Sequence, residues 1–128
     1  MKKLILFFLA TLLLTACAPA KEHDGETTYM NITAEEAKQI MDSGDGYIIL
    51  DVRTQEEYDE GHIPGATQIS HEEIAEKAEE MLTDKDQLIL VYCRSGRRSK
   101  IAAEALVELG YTNIKEFGGI IDWPYETE

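Results

Sequence analysis

The sequence predicts an α/β fold in which a parallel central sheet carries helices on both faces. Three observations predict it. Two apolar runs, Tyr47-Ile48-Ile49-Leu50 and Leu88-Ile89-Leu90-Val91-Tyr92, are continuous rather than alternating, which suits strands buried on both faces. Segments of helical character stand between such runs, as in βαβ units. Three segments open with a hydroxyl residue followed three places later by Glu, the spacing of a capping box.

Taken in order, Thr33-Ala34-Glu35-Glu36 opens a helix through about Met41, closed by Gly44. The strand Tyr47–Leu50 follows. Thr54-Gln55-Glu56-Glu57 opens a short helix through about Tyr58, closed by Gly61. Ala66 to Ile69 is a weaker strand candidate. Ser70-His71-Glu72-Glu73 opens a helix to about Leu82, with Ile74, Ala78 and Met81 or Leu82 on one face. The strand from Leu88 precedes a helix from Ser99 to Leu109, whose apolar positions are Ile101, Ala102, Ala105, Leu106 and Leu109 and whose stop is Gly110. Ile114 to Phe117 is a last, weaker strand. Ligands of such a fold are expected at the carboxyl ends of the strands.

The N-terminus stands apart. Met1-Lys2-Lys3 is basic, Leu4 to Leu14 is almost unbroken apolar sequence, and small residues follow before a cysteine. That order is a secretory signal, and the run is too short for a permanent membrane span. Leu14-Thr15-Ala16-Cys17 resembles the lipobox of bacterial lipoproteins, which implies cleavage before Cys17, its lipidation, and an extracytoplasmic, membrane-anchored protein at the cell surface or in the periplasm. Residues 18–28 hold Pro19, Gly25 and five charged or histidine positions without apolar period, and read as a tether. The expected division is a signal peptide over 1–16, a lipidated tether over 17–28 and one domain over 29–128.

Removal of Lys2 and Lys3 with the signal takes the formal charge from -13 to -15. Such a surface repels nucleic acid. The acidic runs read as solvated helix faces. No oligomerisation surface stands out, and a monomer is expected. His23, His62 and His71 lack metal-ligand spacing, so neither metal nor cofactor is expected.

There are two cysteines. A Cys17–Cys93 disulfide would compete with lipidation. With Cys17 lipidated, Cys93 is an unpaired thiol in an oxidising compartment, and that needs a reason. Its surroundings supply one. The strand from Leu88 ends at Cys93, and Arg94-Ser95-Gly96-Arg97-Arg98-Ser99 leads into a helix. Unpaired N–H groups and the dipole of a helix start favour an anion there. Gly96 lets successive N–H groups converge. Arg94, Arg97 and Arg98 add positive charge. All of this favours thiolate over thiol.

Cys93-Arg94-Ser95-Gly96-Arg97-Arg98-Ser99 resembles the active-site loop of single-domain rhodaneses. Leu50-Asp51-Val52-Arg53, Glu57-Tyr58 and Gly61-His62-Ile63-Pro64-Gly65-Ala66 resemble the family's upstream signature, and Gly118-Gly119-Ile120-Ile121-Asp122-Trp123 its closing motif. The resemblance runs from about Tyr29 to Trp123. It implies a rhodanese-like fold and a sulfurtransferase in which Cys93 takes the outer sulfur of a donor such as thiosulfate as a persulfide. A thiol or cyanide acceptor then removes that sulfur. N–H groups from Arg94 to Ser99 would hold the anion, and Arg97 and Arg98 would contact the donor. Asp51 is read as a structural hydrogen-bonding residue at a strand end. Arg53 and Glu57 are read as a pair fixing the short helix, His62 as holding its own turn, and Trp123 as core.

Two other functions fit the loop. Cysteine phosphatases and arsenate reductases place Arg six positions after Cys. Here Ser99 occupies that position and Arg98 comes one earlier, a tighter cradle suited to sulfur. A non-catalytic persulfide carrier or binding module would need the same cysteine.

Overall fold

The structure is a computed structural model, and it describes residues 28–128. The expected signal peptide, the lipidation at Cys17 and nearly all of the tether lie outside the described residues. In chain order the elements are β1 (Met30–Asn31), α1 (Ala34–Asp42), β2 (Tyr47–Asp51), α2 (Gln55–Glu60), β3 (Thr67–Gln68), a 3-10 turn (His71–Glu73) running into α3 (Ile74–Met81), β4 (Leu88–Cys93), α4 (Arg97–Glu108), β5 (Ile114–Gly119) and a second 3-10 turn (Ile120–Asp122). The five strands form one sheet in the order β1-β5-β4-β2-β3, and every pairing is parallel. The α/β class and the parallel sheet hold as expected.

Side chains alternate across a strand, so the central strand β4 feeds two cores. Ile89, Val91 and Cys93 face one way. They pack with Ile74, Ala78 and Leu82 at α3 and with Ala102, Ala103 and Leu106 of α4. Leu90 and Tyr92 face the other way, with Ala37 of α1, Ile63, Ala66 and Phe117. Continuous apolar runs are therefore required, because each face of the sheet is covered by helix.

Local chemistry explains most helix starts. Thr33 accepts from the Glu36 N–H at 3.1 Å. Thr54 and Glu57 complete a reciprocal capping box. The third expected box does not form. Ser70 instead turns its hydroxyl toward the Arg53 carbonyl at 3.3 Å, and the chain enters α3 through a 3-10 turn without a side-chain cap. That site lies against the end of β2, where a carbonyl competes for the hydroxyl.

Helix α4 begins at Arg97, two residues before the expected Ser99. Gly96 makes the turn at φ +104°, a left-handed conformation favoured by glycine, and no hydroxyl cap is used. The apolar face shifts accordingly. Ile101 is exposed, and Ser99, Ala102, Ala103 and Leu106 are buried. Met81 is also exposed, leaving Leu82 to close the α3 face. Strand β1 has no signature in the sequence. It is two residues long and its side chains face solvent; only its backbone joins β5. Trp123 is half-buried rather than core. Its ring lies 5.6 Å from Phe117, and its indole N–H donates to the Glu126 carbonyl at 3.2 Å.

Candidate active site

Strand β4 delivers Cys93 to the carboxyl edge of the sheet, beside the first turn of α4. The residue is fully buried. Its Sγ accepts from the Gly96 N–H at 3.0 Å, and its S–H donates to Ser99 Oγ at 3.3 Å. Among the described residues Cys93 is a free thiol. The left-handed Gly96 is what turns that N–H back onto the sulfur three residues earlier.

The loop rests on β5. A carbon added to Gly119 would lie 1.9 Å from the Arg94 carbonyl oxygen. The Ile121 N–H then donates to that oxygen at 3.2 Å. At the crossing, Cys93 pairs with Gly119 after a register shift from Val91 opposite Glu116. The Gly-Gly sequence thus acts as a platform on which the loop backbone sits without a side chain between.

The residues singled out from the sequence separate into three groups. Cys93, Gly96 and Ser99 come together around the sulfur. Arg94, Ser95 and Arg97 are exposed, with side chains at the surface of the loop. Arg98 is half-buried and forms a bidentate pair with Glu57, at 2.6 and 2.9 Å. The expected Arg53–Glu57 pair is therefore replaced. Arg53 stands at the end of β2 and grips Asp51 instead, with Nη2 to Oδ2 at 2.6 Å, and also donates to the Gly61 carbonyl at 2.7 Å. Arg53 stands two positions after Asp51, whereas α2 turns Glu57 outward toward α4.

These pairs set the charge of the rim. The Arg98 hydrogen bonds hold the Glu57 carboxyl down to about 2, with help from the Thr54 N–H and against partial burial. Arg98 is held above its ordinary value by its hydrogen bonds to Glu57, against partial burial, with a smaller contribution from the sulfur of Cys93. Arg53, Glu57, Arg94, Arg98, Ile121 and Thr127 line an open depression of about 660 Å³ beside the loop.

Asp51 is held in a buried hydrogen-bond network at the end of β2. Fully buried, it accepts from the Arg53 N–H at 2.9 Å and from the Tyr92 hydroxyl at 2.6 Å. The Tyr92 hydroxyl in turn accepts from the Ile63 N–H at 3.1 Å, and burial first, then the Asp51 bond, pushes this phenol up. His62 contacts the residues around its own turn and the C-terminal Glu128. Its Nδ1 lies 2.8 Å from the Tyr58 carbonyl, its ring stacks on Tyr58, and its Nε2 lies 3.2 Å from Glu128. Among the described residues no group of His, Cys, Asp or Glu is placed to hold a metal ion.

Sequence reasoning missed Glu116 and Tyr92. Glu116 is a buried carboxylate behind the loop, bonded to Ser99 Oγ at 2.6 Å and the Gly118 N–H at 2.8 Å. Nothing in the sequence marks Glu116, since Lys115 stands beside it in the strand.

The family model described as a rhodanese-like domain matches residues 33–124, and that of a prokaryotic membrane lipoprotein lipid attachment site matches residues 1–18. YrkF of Bacillus subtilis, named as a candidate sulfur carrier protein, is 38% identical over 110 residues, covering 84% of this chain. The chain matches 58% of the length of that relative. The thiosulfate sulfurtransferase PspE of Escherichia coli is 40% identical over 73 residues, covering 57% of this chain and 70% of that protein. The crystal structure of a rhodanese-related protein from Thermoplasma volcanium superposes with a TM-score of 0.68 at 31% identity, covering 78% of this chain and 98% of the other. With its parallel sheet, its cysteine loop and these matches, the chain belongs to the rhodanese-like family and carries a lipoprotein attachment signal at its N-terminus.

Proposed function

We propose that this protein is a rhodanese-type sulfurtransferase that moves sulfane sulfur from a small anionic donor such as thiosulfate to a thiophilic acceptor, through a persulfide on Cys93. The observation that carries the reading is the seat of the sulfur. It lies at the carboxyl end of the central strand, 3.0 Å from the Gly96 N–H, beside the first turn of α4. A thiolate there attacks the outer sulfur of thiosulfate; the S–S bond breaks and sulfite leaves with the electron pair. The acceptor, cyanide or a thiolate, then attacks the terminal sulfur and restores the Cys93 thiolate. Two displacements on one sulfur give ping-pong kinetics.

Gly96 and the first turn of α4 supply fixed N–H dipoles to the anionic persulfide. Arg94 and Arg98 draw the donor into a depression on an acidic protein. The names of the relatives support this chemistry, one as a sulfurtransferase and one as a sulfur carrier. Lipidation at Cys17 would hold the domain at a membrane, outside the cytoplasm, where it acts on small molecules as a monomer.

The test is intact mass after thiosulfate, followed by cyanide. A gain of one sulfur, about 32 Da, that cyanide discharges as thiocyanate in repeated turnovers supports the reading. A stable gain without turnover makes the protein a carrier, and no gain refutes both.

A further inference from the structure

Glu116 has no evident reason to be where it is. It is 3% exposed, it sits in β5 facing the loop, and no cation pairs with it among the ion pairs of the described residues. Burying an unpaired carboxylate is costly unless hydrogen bonds compensate. Two do, from the Gly118 N–H at 2.8 Å and the Ser99 hydroxyl at 2.6 Å. The second of these leads to the nucleophile. Ser99 has one proton, and of its three acceptors the Glu116 carboxylate at 2.6 Å is nearer than the Gly96 carbonyl at 3.0 Å and the Gly118 carbonyl at 3.4 Å, and the only charged one. Its oxygen is left to accept the Cys93 S–H at 3.3 Å. Sulfur, hydroxyl and carboxylate form one directional chain, and both Cys93 and Ser99 are fully buried.

We infer that Glu116 is the internal proton acceptor for the Cys93 thiol, acting through Ser99 as a positioning and proton-holding residue. The inference rests on Cys93 being the nucleophile. In the step, the S–H bond breaks and its proton passes to Ser99 Oγ, while the Ser99 proton passes to Glu116 Oε1. Nothing is oxidised or reduced, and the pair keeps one negative charge throughout. Ser99 ends as a donor to the thiolate, so the same three heavy atoms serve both states. A sulfur closed off from solvent can thereby ionise without a water molecule to carry its proton.

Other charged groups face this chain. Arg98 acts on the sulfur from α4, and Lys100 Nζ lies near Gly96. Tyr29, ahead of β1, is within reach of both Glu116 and Glu104. None of them is hydrogen-bonded to Ser99 or Cys93.

The test reads Cys93 chemistry independently of sulfur transfer. Iodoacetamide alkylation of Cys93 is followed by mass from pH 5.5 to 9 in the wild type, Glu116→Gln and Ser99→Ala. A carboxylate that takes this proton and keeps it while the thiolate stands beside it makes the wild-type rate level across the neutral range. Both variants lose that plateau, their rates climb about ten-fold per pH unit, and at pH 6 they react at least about ten-fold more slowly. The double variant is no slower than either single one, since each breaks the same chain. Thermal melts identify any variant that fails to fold, and Ser99→Ala, a smaller change, then decides alone. Profiles that coincide with the wild type overturn the proposal. So does faster alkylation of Glu116→Gln at pH 6, which would make the carboxylate a mere electrostatic brake. A wild type that shows the plateau but gains no sulfur from thiosulfate would refute the transferase reading and leave the proton chain intact.

Discussion

Gly119→Ala is the most demanding test of how the loop is built. The Gly119 backbone is extended at φ -132°, so alanine is tolerated by the dihedral angles, and the penalty is purely contact. The new methyl carbon would lie 1.9 Å from the Arg94 oxygen and 2.5 Å from the Ser95 nitrogen, both backbone atoms. Ordinary contact begins near 3.4 Å, so β5 and the loop must part by about 1.5 Å. A shift of that size breaks the 3.0 Å bond from Gly96 to the sulfur. A hydrogen bond to a charged group contributes roughly 1.5–3 kcal/mol, which at about 1.4 kcal/mol per decade is a ten- to hundred-fold loss in rate. Overpacking should lower stability by roughly 1–3 kcal/mol, leaving the domain folded at room temperature. Thiosulfate-to-cyanide turnover and the rate of persulfide formation, each normalised to folded protein by circular dichroism, provide the assay. A variant that stays within about two-fold of the wild type would mean that the loop position does not govern reactivity, and the geometric argument would fail.

Four further outcomes are expected. Cys93→Ser abolishes sulfur uptake by mass while its thermal midpoint stays close to that of the wild type, because the side chain is nearly isosteric. Arg98→Ala raises the KM for thiosulfate and leaves Glu57 unpaired; unchanged donor kinetics would remove Arg98 from the site. Glu57 is depressed to about 2 in the folded protein against about 4.5 unfolded, so its contribution is present above pH 4.5 and fades as the pH falls toward 2. After allowance for solvent screening at the protein surface it is about 1 kcal/mol, and the difference in thermal midpoint between wild type and Glu57→Gln should shrink between pH 7 and pH 2.5. Tyr92→Phe strands the buried Ile63 N–H and removes a donor from Asp51, at about 1–3 kcal/mol, which calorimetry should record as a drop in Tm of roughly 5–15 °C.

The strands and helices around the site were legible because their burial is two-sided and periodic. Leu88 to Tyr92 suits a strand covered on both faces, and Cys93 falls at its end. The caps at Thr33 and Thr54 were legible for the same local reason. Ser70 was not, since its competing partner, the Arg53 carbonyl, is distant in sequence. The apolar positions place α4 from Ser99, whereas its first turn is the polar Arg97-Arg98, entered through a left-handed Gly96 without a side-chain cap. Which carboxylate takes which arginine was likewise hidden. Asp51 reaches Arg53 because both stand at one strand end, and Glu57 reaches Arg98 only once α2 and α4 are set side by side. Glu116 announced nothing, because a single acidic residue in a strand has no local partner to betray it.

The direct seating of the Arg94 carbonyl on Gly119 has a consequence for how recognition and reactivity can change. The curvature of the loop is inherited from main chain pressed on main chain, with Arg94, Ser95 and Arg97 directed outward and bearing none of that load. Those three positions can be exchanged for residues of other charge or size, retuning which donor or acceptor is admitted, while the amide that greets the sulfur stays where the sheet puts it. Selectivity and chemical competence are thus separately adjustable within one short loop.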